Sequence, residues 1–164
     1  MNLNLVFRIL SFILLPIAII IGVVDTLAIT MAIANPQMLL PVFVLAAVVM
    51  YVLSSIRFHR NAVLEGKTFS KKTKDFIKVN AYVTLGFSIL SLVQGVTVLI
   101  SKKAMKEVIE SYSQISVANH ISSGSAQSII YVSLSFSIAI SFIIIAHILL
   151  SFKFLKQNEN KFID

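Results

Sequence analysis

The chain has 164 residues, of which 57% are hydrophobic and 13% charged, with a net charge of +7. Water-soluble domains carry roughly 45 to 50% apolar and about 25% charged residues, so this composition excludes an ordinary soluble globule. There is no cysteine, which excludes disulfides, thiolate metal sites, iron–sulfur clusters and a thiol nucleophile.

The charges are unevenly spaced. Thirty-one uncharged positions separate Asp25 from Arg57, 23 separate Lys78 from Lys102, and 42 separate Glu110 from Lys153. A helix needs about 20 apolar residues, rising 1.5 Å each, to cross a hydrocarbon core of roughly 30 Å. The expected fold is therefore all-α, an integral membrane four-helix bundle forming a single membrane domain over residues 1–164.

Span one is expected over about residues 9–33. Its apolar stretch is longer than the 7 to 15 residues typical of a signal peptide and it contains Asp25, so it reads as a retained helix despite the A-x-A pattern at Ala32-Ile33-Ala34. Asn35-Pro36 reads as a tight turn, with Asn as N-cap and Pro at the first helical position. Span two follows over about 38–56. The connector 57–78 holds seven cations: Arg57, Arg60, Lys67, Lys71, Lys72, Lys74 and Lys78. It reads as a basic, lipid-facing cytosolic loop, or alternatively as a docking surface for an acidic partner. Its start is expected to prolong the second helix until Gly66 takes a left-handed stop, and Ser70 to cap the helix that becomes span three, about 79–100.

Within this connector, Glu65-Gly66-Lys67-Thr68-Phe69-Ser70-Lys71 resembles the inner loop of some four-helix bacterial membrane proteins. The likeness implies a bacterial inner membrane location and gives no residue a role.

After Lys102-Lys103, apolar residues recur at helical spacing (Met105, Val108, Ile109, Tyr112, Ile115) opposite Lys103, Lys106, Glu107, Glu110 and Gln114. That pattern predicts a short amphipathic outer helix within the segment 101–127. A flexible turn is expected at 122–125 and span four over about 128–152. If both termini lie inside, the inner side holds eleven Lys and Arg and the outer side three, the distribution the positive-inside rule favours.

Projected at 100° per residue, each span carries a seam of small or polar residues. On span one it is Ser11, Ala18, Gly22, Asp25 and Ala32; on span three, Asn80, Thr84, Ser88, Ser91 and Gly95. Span four has Ser133, Ser137, Ser141, His147 and Ser151, with Ile140 and Ile144 among them. Span two offers only Phe43, Ala47, Tyr51 and Ser54. Such seams serve helix packing or line a polar pathway. Matching residues by depth groups an intramembrane polar cluster of Asp25, Gln94, Ser133 and Ser137, and an inner-side cluster of His147, Asn80, Ser54 and Ser11. Asp25 lies too deep for its short side chain to reach the head groups, so it is expected to face the bundle as a hydrogen-bonded, at least partly protonated carboxyl. It reads as polar glue between helices or as a proton or cation site.

His59, His120 and His147 lie in separate segments with no second ligand at i+3 or i+4, and no metal or other cofactor is expected. Hydrolase, phosphate-binding and dinucleotide-binding motifs are absent, and no enzyme activity is expected. Membrane lipids, a second copy of the chain or a larger membrane protein are the expected partners, and nucleic acid is not among them. The chain reads as an accessory or interaction protein of a cell membrane, or alternatively as a minimal transporter or channel subunit.

Overall fold

The computed structural model describes residues 2–116 and 123–163. Among them are five α-helices: α1 (Leu3–Ala34), α2 (Leu39–Phe58), α3 (Lys71–Ile100), α4 (Lys102–Ser116) and α5 (Ser123–Gln157). All but α4 lie in segments long and apolar enough to cross a membrane. At 1.5 Å per residue, α1, α3 and α5 are each about 45 Å or longer, well beyond the roughly 30 Å of a hydrocarbon core.

Local chemistry explains most boundaries. Asn35 Oδ1 accepts from the Gln37 amide at 3.2 Å and opens a 3₁₀ turn, Pro36–Met38, that leads into α2. Ser70 Oγ accepts from the Thr73 amide at 3.4 Å, capping the first turn of α3. Ser101 does the same for α4, accepting from the Ala104 amide at 3.2 Å. The second helix does run on past Arg57, but as a π-helical turn over His59–Leu64. The Glu65 amide closes it on the Arg60 carbonyl at 3.2 Å, and Gly66 follows at φ +71°. That conformation suits a residue without Cβ. The flexible turn expected at 122–125 is corrected: residues 123–125 are already helical, and Ser122 lies outside the described residues.

Contacts divide the chain into two compact units, Met1–Phe87 with Ile143–Asp164, and Ser88–Phe142. The first holds α1, α2, the start of α3 and the end of α5. Its core includes Phe7, Leu14, Tyr51, Phe58, Ile77, Ile148 and Leu155. Two short strands, β1 (Phe69–Ser70) and β2 (Phe162–Ile163), pair in parallel, Phe69 opposite Phe162. Phe58 stacks on Phe162 with ring centroids 5.3 Å apart and meets Phe69 edge-on. Lys74 pairs with Glu159 and lies 5.6 Å from the Phe162 ring centroid.

In the second unit α4 turns Met105, Val108 and Ile109 inward while Lys103, Lys106, Glu107 and Glu110 are exposed. Lys106 and Glu110 approach to 3.6 Å. Gly95 lies tight against α5, where an added Cβ would come within 2.9 Å of Ile138 Cγ1. Outward surfaces of the long helices are apolar, with Phe12, Ile33, Leu40, Ile100 and Val132 each at least 70% exposed.

Candidate functional site

The first unit contains a buried aromatic and polar cluster built from three helical stripes. α1 supplies Asn4, Phe7 and Ser11; α2 and its π-turn supply Tyr51, Ser55 and His59; α5 supplies His147, Ser151 and Phe154. Spacings of three and four residues place each set on one helix face.

His147 is fully buried and engaged at both ring nitrogens. Nδ1 lies 2.7 Å from Tyr51 Oη and Nε2 lies 3.0 Å from Ser11 Oγ. A neutral imidazole has one N–H and one lone pair, so the two contacts take opposite roles. Either Tyr51 donates to Nδ1 and Nε2–H donates to Ser11, or Ser11 donates to Nε2 and Nδ1–H donates to the phenol oxygen. The three side chains thus form a hydroxyl–imidazole–hydroxyl chain with two tautomeric settings. Ser55 and Ser151 flank the Tyr51 hydroxyl. Ser55 Oγ donates to the Val52 carbonyl at 3.0 Å, whereas Ser151 Oγ is buried without a hydrogen-bond partner among the described residues.

Phe7 is sandwiched between two imidazoles. Its ring centroid is 4.3 Å from that of His147 and 4.4 Å from that of His59, with interplanar angles of 27° and 26°. Phe154 closes the edge of this stack, meeting Phe7 at 90° and His59 at 64°. His59 Nε2–H donates to Asn4 Oδ1 at 3.3 Å.

Of the residues grouped by depth with His147, the structure joins Ser11 to it and uses the others differently. Ser54 Oγ donates to the Met50 carbonyl at 2.6 Å, and Asn80 Nδ2 donates to the Phe76 carbonyl at 2.8 Å. Both satisfy their own helix, as short polar side chains readily do. Sequence reasoning missed Phe7, His59, Asn4 and Phe154, and gave Tyr51 only to a weak stripe. The usable signal was the i, i+4, i+8 run of Tyr51, Ser55 and His59, which continues past the expected end of span two.

Asp25 is 6% exposed, in the first unit. Its Oδ1 has no hydrogen-bond partner among the described residues. Gln94, Ser133 and Ser137 belong to the second unit. There Gln94 and Ser133 are exposed and Ser137 is half-buried. Gln94 and Ser137, with Ser91, Gly95 and Thr97, line a groove of about 420 Å³ between α3 and α5. Gln94 and Ser133 thus lie on the outward side of their helices within that unit.

The basic loop is also not uniformly outward. Arg57, Arg60, Lys67, Lys71 and Lys72 are exposed, whereas Lys74 and Lys78 are half-buried. Lys67 pairs with Glu65 at 2.6 Å, and Lys74 turns inward to Glu159. Hydrogen bonding to these ammonium groups holds both carboxyls below the ordinary glutamate range. Arg60 Nε donates to Asn61 Oδ1 at 3.1 Å. Among the described residues no three His, Asp or Glu side chains converge to hold a metal ion.

The chain is thus an all-α protein with four helices of membrane-crossing length and one buried Tyr–His–Ser chain. No family model matches the sequence, and no curated protein or solved structure is significantly similar to it.

Proposed function

We propose that the protein crosses a cell membrane four times with both termini cytosolic, and that it is a small accessory or interaction protein that packs with itself or with a larger membrane partner. Apolar side chains cover the outside of the four long helices, a surface too extensive for water. The eleven-to-three distribution of Lys and Arg supports the orientation. Cysteines introduced at Ser123 and Thr73 test it: an impermeant thiol reagent should label the first in intact cells and spare the second, and the reverse pattern would overturn it.

The observation that carries the interaction reading is the groove lined by exposed Gln94, half-buried Ser137 and buried Gly95. Gln94 lies six residues, about 9 Å, from the end of α3 at Ile100. A carboxamide facing lipid at that depth is costly, while small neighbours let another helix approach closely and hydrogen-bond to it. Oligomeric state and co-purifying proteins in mild detergent, compared between wild type and Gln94→Leu, test the reading. An association unchanged by the substitution would refute it.

A second reading, a minimal transporter or channel subunit, is favoured by one feature, the buried Asp25 with an unpartnered Oδ1. Intramembrane acids are functional candidates. Asp25→Asn keeps the size but cannot titrate, so proton- or cation-driven flux in proteoliposomes should disappear in that variant. Flux that persists would exclude Asp25 as the site.

A further inference from the structure

A groove of about 690 Å³ lies between α2 and the start of α3, entirely within the first unit. Its volume is in the range of small-molecule sites, roughly 300 to 1,000 Å³. The two ends differ in chemistry. Val49, Met50, Leu53 and Phe76 form an apolar floor, and Arg57 and Lys72 stand at the end nearest the basic loop. Among the described residues no carboxylate lines it. From Val49 to Arg57 the floor runs eight residues along α2, about 12 Å.

The charge at this end is uncompensated. Lys67 and Lys74 have Glu65 and Glu159 as partners, but among the described residues Arg57 and Lys72 form no ion pair. Two unpaired cations above an apolar slot complement an amphiphile with an anionic head and a hydrocarbon tail. Arg57 can grip a phosphate through two N–H groups, and Lys72 adds a point charge. Met50, Leu53 and Phe76 are each nearly half exposed and would be covered by an acyl chain.

We propose that this groove is a binding site for one anionic glycerophospholipid of the inner leaflet, with its phosphate between Arg57 and Lys72 and an acyl chain along Val49, Leu53 and Phe76. This rests on the four-span, inner-loop reading above. The amphiphile's polarity matches the groove's: the cations mark the cytosolic end of α2 and the apolar floor descends toward the bilayer centre. A zwitterionic lipid offers the same phosphate, but its ammonium meets two cations.

The full chain, purified in detergent, is titrated with phosphatidylglycerol, phosphatidylcholine and inorganic phosphate, and bound lipid is read by native mass spectrometry. Phosphatidylglycerol should saturate at one per chain. At the strength typical of a basic residue beside anionic lipid, losing both cations in R57Q/K72Q should weaken it about 30-fold. The equal charge loss in K102Q/K103Q should leave binding unchanged. Leu53→Trp fills the floor while keeping both cations, and should also weaken binding. This variant decides the matter if circular dichroism shows R57Q/K72Q to be misfolded. Equal binding of phosphatidylcholine, an unaffected R57Q/K72Q or Leu53→Trp, an equal loss in K102Q/K103Q, or displacement by inorganic phosphate would each overturn the site. Failure of the membrane reading is separately visible, as release of the wild-type chain from neutral vesicles by alkaline carbonate.

Discussion

Tyr51→Phe deletes one oxygen and leaves the ring in place, so its effect isolates the hydrogen bond to His147. The phenol oxygen is 2.7 Å from Nδ1 and both side chains are fully buried. Deletion strands a buried imidazole nitrogen, at a cost of about 1 to 3 kcal/mol in proteins generally. Interhelical hydrogen bonds measured in a bilayer are weaker, up to about 1.7 kcal/mol, because the unfolded chain also finds partners there. The overlap of these ranges, about 1 to 1.7 kcal/mol, is the expected loss of stability. Reversible unfolding of the purified chain in mixed micelles, followed by circular dichroism, measures it. The control is the same substitution in a His147→Leu background, where no imidazole remains to be stranded and the cost should fall close to zero. A coupling energy within about 0.5 kcal/mol of zero is what independent sites give, and it would refute a Tyr51–His147 bond. Replacing Ser11 by Ala should behave similarly at the other ring nitrogen.

Phe7→Ala removes the ring between the two imidazoles and should cost about 3 to 5 kcal/mol, as large-to-small changes in a packed core do; both histidine ring proton resonances should lose their ring-current shifts, and unchanged shifts would contradict the stack. The carboxyl of Glu159 is depressed below its ordinary range by Lys74, so its contribution is present at neutral pH and is lost as pH falls through that depressed value. Protection of the Phe162 and Ile163 amides, measured as exchange relative to the intrinsic rate at each pH, should therefore fall in acid, and Glu159→Gln should show the lower protection already at neutral pH. Gly95→Ala should destabilise the second unit by pressing on Ile138, with Ile138→Val restoring part of the loss; a neutral Gly95→Ala would mean the helices separate freely there. Spin labels at Val108 and Glu110 should differ in accessibility to a water-soluble quencher, because the first is half-buried and the second exposed.

Features governed by local chemistry were legible in the sequence. Long uncharged stretches gave the four long helices, and cap residues located the turn at Asn35-Pro36, the start of α3 at Ser70 and the stop at Gly66. The alternating faces of α4 followed from its 3.6-residue period. What escaped was rotation about each helix axis. Counting residues places Asp25 and Gln94 at one depth, yet the azimuth of each helix is decided by which large side chains interlock, such as Phe7 between His59 and His147. The π-turn at His59–Leu64 also escaped, since an extra residue per turn leaves no mark in a hydrophobic pattern. Nor could two-residue strands announce themselves, because β1 and β2 are too short to show a period.

The pairing of Phe69 with Phe162 also imposes a schedule on synthesis. The two residues are 93 positions apart in the chain, an interval of roughly 5 to 20 s at typical translation rates. Throughout that delay Phe58 and Phe69 have no Phe162 to stack on, and Lys74 has no Glu159. The nascent loop therefore presents Phe58 and Phe69 without their later cover, beside a Lys74 that has yet to meet its carboxylate. Docking of β2 withdraws this display. A molecule in which β2 has not docked keeps both rings uncovered and leaves Lys74 without its carboxylate.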